Sequence, residues 1–170
     1  MSKFLQITLG AGAAALALAV APATAAPTSV NNGPVTARAQ IVKPLTLQKV
    51  SNMDFGSIVV QDNGTATMDT AGNITCTANL TCTATGTPAE YKVTGTNNQV
   101  VNVTKPNVTL TNSVNPGTDL TLVLSGPTQV TLPNSGATGM NFKLGGSIAI
   151  AATTKDGVYT GDLNVTVDYN

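Results

Sequence analysis

The chain has 170 residues with eight basic and eight acidic side chains, no histidine and no tryptophan, and only 9% of its residues are charged. Zero net charge without basic or acidic blocks excludes an electrostatic footprint for nucleic acid or an anionic membrane surface. Without histidine, and without an HExxH, GxSxG or phosphate-loop motif, the sequence offers no catalytic constellation, so we expect no enzyme, no cofactor and no metal site.

The first 25 residues have the pattern of a secretory signal peptide. Lys3 gives a positive start, residues 4–20 are apolar, and Ala23-Thr24-Ala25 supplies the small residues that a signal peptidase reads. We expect cleavage after Ala25, with cleavage after Ala23 as the alternative, because the apolar stretch is too short for a membrane span. The mature protein is therefore predicted to reach the periplasm and then the cell surface, without an integral membrane segment.

Residues 26–34 contain two prolines and one large apolar side chain, which predicts a flexible extension before a single domain at 35–170. Segment 35–41 then alternates apolar with polar residues, and its apolar members are Val35, Ala37, Ala39 and Ile41. This alternation predicts a strand. The strand is either the domain's own first strand or a segment that another chain takes up.

Cys76 and Cys82 are the only cysteines, and a chain bound for an oxidising compartment is expected to pair them. Folding the segment about Asn79 places Cys76 opposite Cys82 and Ile74 opposite Ala84. We therefore predict an intrachain disulfide across a local hairpin. Two thiols in a chain without histidine provide too few ligands for tetrahedral zinc.

Short alternating segments predict strands through the rest of the chain. They lie at residues 45–50, 53–60, 90–94, 100–103, 107–112, 119–125, 129–132 and 140–144. Gly145-Gly146 is interpreted as a two-residue hairpin turn that returns the chain through Ile148 and Ile150. With no helical period after the signal peptide, the pattern predicts an all-β antiparallel sandwich.

The most regular alternation follows Gly157 and Tyr159. Its apolar members, each followed or preceded by a polar residue, are Leu163, Val165, Val167 and Tyr169. Side chains two positions apart lie on the same face of a strand, so this segment predicts a terminal strand with one apolar and one polar face.

This terminal segment resembles the C-terminal motif of chaperone–usher pilus subunits, which combines a glycine, alternating apolar residues and a penultimate tyrosine. The run Met53-Asp54-Phe55-Gly56 resembles the Leu-Asp-Phe-Gly segment of spore coat protein U-like pilins. Gly145-Gly146 and residues 156–159 follow in the order found in those pilins and in a related family of uncharacterised secreted bacterial domains. This chain departs from the coat-protein-U-like pattern at Lys43-Pro44, where those subunits carry a cysteine in the first strand.

The resemblance implies an immunoglobulin-like pilin sandwich whose incomplete sheet is completed by a strand from a neighbour. The implied partners are a periplasmic chaperone and like subunits of a Gram-negative bacterium, with a role in surface fibres of the adhesion or biofilm type. The assembly and chaperone-recognition strand would comprise Gly157, Tyr159, Leu163, Val165, Val167 and Tyr169. The candidate donor residues are Val35, Ala37, Ala39 and Ile41. The alternative is a self-complete secreted sandwich that acts as a surface or matrix binding module.

Overall fold

The computed structural model describes residues 33–170, and the predicted signal peptide, with the extension up to residue 32, lies outside the described residues. Residues 33–170 contain thirteen strands and no helix, and all strand pairs are antiparallel, which confirms the all-β class. The strands are β1 Thr46–Ser51, β2 Ile58–Val60, β3 Gly64–Met68, β4 Ile74–Cys76, β5 Leu80–Cys82, β6 Ala89–Thr94, β7 Val100–Thr104, β8 Val108–Asn112, β9 Leu120–Ser125, β10 Gln129–Thr131, β11 Met140–Ile150, β12 Tyr159–Thr160 and β13 Thr166–Tyr169.

The strands of residues 33–170 form three sheets. The largest runs β1-β6-β11-β9-β8-β12, with β3 also paired to β11 and β4 paired to β3. A second sheet runs β10-β7-β13, and β2 pairs with β5. Gln40–Asn170 form one compact unit, and the remaining described residues, 33–39, belong to a separate unit.

Alternating burial along the strands builds two apolar clusters. In β8, for example, Val108 and Leu110 are buried while Thr109 and Thr111 are exposed, as expected for a sheet with one covered face. The first cluster joins the β10-β7-β13 sheet to β6 and the first half of β11: Ala89, Tyr91, Val93, Val101, Val103, Val130, Leu132, Phe142 and Leu144. The second cluster lies at the other half of β11: Ala66, Leu80, Val108, Leu110, Leu122, Leu124, Ile148 and Ile150.

The predicted hairpin at Gly145-Gly146 is wrong, because β11 runs without interruption through both glycines. Residues 140–144 pair with β6, whereas residues 145–150 pair with β9 and β3. A Cβ atom on Gly145 would lie 2.2 Å from the main-chain oxygen of Met68. The glycines therefore serve close packing of neighbouring backbones rather than a turn.

The motif Met53-Asp54-Phe55-Gly56 forms a tight connection rather than part of a long strand. Asp54 exchanges main-chain hydrogen bonds with Thr87, and its Oδ1 accepts one from the Gly56 nitrogen at 2.8 Å. Gly56 has a φ of +67°, and a Cβ there would lie 2.5 Å from the Thr83 hydroxyl. Met53 packs against both apolar clusters, so this motif joins the two halves of the core.

Candidate functional site

The predicted terminal strand is too long, because β13 covers only Thr166–Tyr169 and residues 161–165, with Leu163 and Val165, lie in no strand. Tyr159 and Thr160 pair with β8 in the large sheet, whereas residues 166–169 pair with β7 in the other. Between them, Gly161 approaches the main-chain oxygen of Thr109 so closely that a Cβ would lie 2.4 Å from it. The segment therefore crosses from one sheet to the other near Gly161.

Gly157 and Tyr159 consequently belong to a different site from β13. Gly157 has a φ of +140°, and a Cβ there would lie 2.4 Å from the side chain of buried Asn112. The Tyr159 hydroxyl donates to the Lys155 main-chain oxygen at 2.8 Å, and its ring packs against the second cluster. Both residues shape a turn around Asn112 and are not brought together with the residues of β13.

The strand β13 lies at the end of its sheet and pairs with β7. Asn170 donates its main-chain N–H to the Val100 oxygen at 3.1 Å, which marks these two residues as a hydrogen-bonded pair of the ladder. Because such pairs alternate with non-bonded pairs, Asp168 also directs its main-chain groups to β7, and Val167 and Tyr169 direct theirs away from it. We call this outward side of β13 the terminal edge.

The apolar side chains beside the terminal edge face the protein's own core. Leu163, Val165, Val167 and Tyr169 are all partly buried and pack against the first cluster. Leu45, Leu47 and Met53, which flank or belong to β1, are also partly buried against it. The margin of the first cluster is thus covered by side chains that lie in or next to the two end strands, β1 and β13.

The hydroxyl of Tyr169 joins these two margins. It donates to the main-chain oxygen of Lys43 at 2.5 Å and accepts from the Thr96 nitrogen at 2.8 Å. The Lys43 nitrogen in turn donates to the Thr96 hydroxyl at 2.5 Å. Next to this contact, a Cβ on Gly95 would lie 2.6 Å from the Tyr169 hydroxyl. Tyr169 therefore ties the two margins together through its hydroxyl, in addition to packing its ring against the first cluster. The sequence did not predict Lys43 or Thr96 as its partners, because no periodicity connects them to Tyr169.

The candidate donor residues lie in segment 35–41, which forms no strand, so the first strand of the domain is β1. Val35 is 97% exposed and Ile41 is 91% exposed, and Ala37 and Ala39 are exposed as well. Exposed branched apolar side chains are costly in water.

Cys76 and Cys82 form a disulfide with a Cα–Cα distance of 6.3 Å. The predicted register about Asn79 is present, since Ile74 donates its N–H to the Ala84 oxygen at 3.0 Å. The predicted regular hairpin is absent, because β4 pairs with β3 and β5 pairs with β2. The disulfide therefore connects a strand of the large sheet to the two-stranded sheet.

Among residues 33–170, two ionisable groups have shifted pKa values. Hydrogen bonds from the side chain and then the main chain of Asn73 lower the pKa of the Asp69 carboxyl, with further main-chain bonds from Ala71 and Gly72. Burial raises the pKa of the Tyr91 phenol, whose ring stacks on Phe142 at a centroid distance of 5.8 Å. Both groups serve local structure, at a turn and in the core.

Residues 33–170 contain neither a cluster of metal ligands nor a membrane-spanning helix. No group of three or more histidine, cysteine, aspartate or glutamate side chains in this part of the chain could hold a metal ion. The same stretch contains no helix that is long and apolar enough to cross a membrane.

Comparison with protein families matches residues 45–169 to the family described as Domain of unknown function (DUF4402). The matched stretch begins directly before β1 and ends with β13, so it covers every strand of residues 33–170. No curated protein and no solved structure gives a significant match.

Proposed function

This chain belongs to the DUF4402 family, and we propose that it is a secreted structural subunit that assembles into surface fibres by β-strand complementation. In this proposal segment 35–41 of one copy is added to the terminal edge of another. Export through the signal peptide would deliver the subunit to the periplasm, where a chaperone would cover the edge before assembly.

The observation that carries the proposal is that the same chain contains a strand at the end of its sheet and an exposed alternating segment that could pair with such a strand. The terminal edge has outward main-chain groups at Val167 and Tyr169. Segment 35–41 lies in no strand, alternates apolar with polar residues and leaves Val35 and Ile41 almost fully exposed. An open strand edge promotes pairing with another chain unless it is covered, and an added strand gains both main-chain hydrogen bonds and apolar burial.

The architecture agrees with the pilin resemblance. The first cluster joins side chains of two sheets, as the core of an immunoglobulin-like sandwich does. Its margin, formed by residues such as Leu47 and Val167, is only partly buried. A strand added at the terminal edge would cover part of this margin.

A second candidate function is a self-complete binding module, and one observation favours it. The centre of the first cluster is already closed, with Val93, Val101 and Leu144 fully buried. A domain with such a core folds without a neighbour, and the exposed apolar residues of segment 35–41 would then contact a ligand or matrix.

The two functions differ in what segment 35–41 does. We would replace Val35 and Ile41 by serine in the exported protein and compare a control with Thr36→Ser and Gln40→Asn, which keeps the apolar residues. Burying two such side chains is worth on the order of 3 kcal/mol, so their loss should strongly reduce assembly. Since both positions are exposed, the fold should remain intact.

Assembly would be measured as ladders of purified protein that resist mild detergent, and folding by the thermal unfolding midpoint. The proposal expects ladders from wild type and control, and monomers with an unchanged midpoint from the Val35→Ser, Ile41→Ser variant. A stable monomeric wild type, or ladders that persist in the variant, would overturn strand donation by this segment.

A further inference from the structure

We infer a specific register for the added strand, an inference that rests on the proposed function: segment 35–41 of a second copy runs antiparallel to the terminal edge. Its Val35 lies opposite Tyr169 and its Ala37 opposite Val167, both in β13. The pairing then continues past the start of β13, with Ala39 opposite Val165 and Ile41 opposite Leu163, two residues that lie in no strand of this structure. The partner is thus a second copy of this chain, seated by four matched apolar pairs.

Main-chain geometry fixes which residues can pair. Val167 and Tyr169 direct their N–H and C=O groups outward, and their side chains pack against the first cluster. Directly opposed residues on neighbouring strands share a face of the sheet. An added strand must therefore place its apolar residues opposite the odd-numbered residues of the acceptor. The allowed registers consequently differ by steps of two residues. This applies to the apolar residues of the donor, Val35, Ala37, Ala39 and Ile41.

The tie between Tyr169 and Lys43 selects one of these registers. In the donor, both main-chain groups of Lys43 already have partners in its own domain, so the segment free to pair ends at Val42. In the acceptor, the same tie places its own Lys43 beside Tyr169, which limits how far an added strand extends past that residue.

A shift of two residues in either direction loses apolar pairs. One shift brings the donor's Lys43 opposite Leu163, which the donor's own contacts prevent. The other shift places Ile41 opposite Gly161, where the acceptor chain turns toward β8 and offers no apolar side chain. The inferred register is the one that pairs all four apolar residues.

The charged side chains on the solvent-exposed face of the sheet, opposite the face that packs on the first cluster, are compatible with this register. Arg38 would lie opposite Thr166 and diagonal to Asp168, at a separation of about 7 Å that a long side chain spans. Thr36 would lie directly opposite Asp168. Thr36, Arg38, Thr166 and Asp168 are all exposed, so substitutions there leave the core untouched.

Pairs of cysteine substitutions on this solvent-exposed face test the register in the full chain. The pairs Thr36→Cys with Asp168→Cys and Arg38→Cys with Thr166→Cys match it. At these non-hydrogen-bonded positions Cα atoms are about 4.5 Å apart, within the reach of a disulfide. The mismatched pairs Arg38→Cys with Asp168→Cys and Thr36→Cys with Thr166→Cys would be diagonal neighbours, about 7–8 Å apart and too distant. Each single cysteine variant serves as a control.

After mild oxidation, non-reducing gels should show covalent ladders from both matched pairs, at least about tenfold above the mismatched pairs because of the distance limit. Ladders from a mismatched pair instead would overturn the register while leaving strand complementation intact. Cross-linked monomers would overturn the second copy as the occupant. Wild-type protein without detergent-resistant ladders, together with no cross-linking in any pair, would overturn the proposed function itself.

Discussion

The hydroxyl of Tyr169 donates a hydrogen bond to the main-chain oxygen of Lys43, a residue 126 positions earlier in the chain. Through this bond and the one from the Thr96 nitrogen, β13 is tied to the segment that enters β1. Because β1 and β13 end two different sheets, the tie holds the two margins of the first cluster together at one end.

Removing this hydroxyl should weaken the fold. We expect Tyr169→Phe to lower the free energy of unfolding by about 1–2 kcal/mol, because the Thr96 N–H and the Lys43 oxygen both lose a partner. Urea unfolding would measure the change. Tyr91→Phe is the control, since the Tyr91 hydroxyl lies 3.5 Å from the Leu163 oxygen and forms at best a weak bond. Equal stability of Tyr169→Phe and wild type would show that the tie has no energetic role.

The disulfide should stabilise the protein modestly. Closing a loop between residues six apart stabilises the folded state by about 2 kcal/mol in the chain-entropy model. We expect a reducing agent to lower the thermal unfolding midpoint of the wild type and to leave that of the Cys76→Ala, Cys82→Ala variant unchanged. An unchanged wild-type midpoint after complete reduction would contradict this.

The cysteine region illustrates how far a sequence pattern reaches. Alternation about Asn79 predicted which residues face each other, and the hydrogen bond between Ile74 and Ala84 agrees with that register. It did not predict that β4 and β5 take their ladder partners from β3 and β2. Periodicity describes the faces of one strand, whereas the choice of partner depends on segments distant in sequence.

The hairpin prediction at Gly145-Gly146 is wrong for a related reason. A glycine pair is equally typical of a turn and of a strand that another backbone approaches closely. In this chain the pairing of residues 145–150 with β9 and β3 identifies the second case. Likewise, the alternation of Leu163, Val165, Val167 and Tyr169 predicted an apolar face. It could not reveal that this face packs against the chain's own first cluster.

The close approach at Gly145 gives a direct test. Gly145→Ala should lower the free energy of unfolding by about 3 kcal/mol or prevent folding, because its Cβ would lie 2.2 Å from the main-chain oxygen of Met68. Gly117→Ala is the matched control: Gly117 has a φ of +96° but open space around it, so that variant should lose only about 1 kcal/mol. A smaller loss in Gly145→Ala than in the control would show that β11 has room at this position.

Stability should depend on pH through Asp69. Its folded-state pKa is lowered below 3.8 by hydrogen bonds from Asn73, Ala71 and Gly72, so the carboxylate stabilises the fold above that value. This contribution is lost as the pH falls through the lowered pKa. We expect Asp69→Asn to be less stable than wild type at neutral pH and the difference to shrink at the acidic end of a urea-unfolding series. Asp119→Asn, at an exposed position, controls for the loss of a charge. A difference independent of pH would contradict the assignment.

A free peptide should compete for the terminal edge if segment 35–41 is the donated strand. We expect a synthetic peptide of residues 33–42, added in excess to full-length protein during assembly, to shorten the detergent-resistant ladders in a dose-dependent manner. The peptide would form the same main-chain hydrogen bonds with Val167 and Tyr169 but carries no domain with a further edge, so each bound peptide ends a growing chain.

The matched control is the same peptide with Val35→Ser and Ile41→Ser, which keeps the backbone, the length and the Arg38 charge but loses the apolar burial. Losing two buried side chains should weaken its binding by about two orders of magnitude, on the basis of roughly 1.5 kcal/mol for each. Equal shortening by both peptides would mean that binding does not depend on the alternating apolar residues. Ladders unaffected by either peptide, at concentrations well above that of the protein, would place the contact between copies somewhere other than the terminal edge.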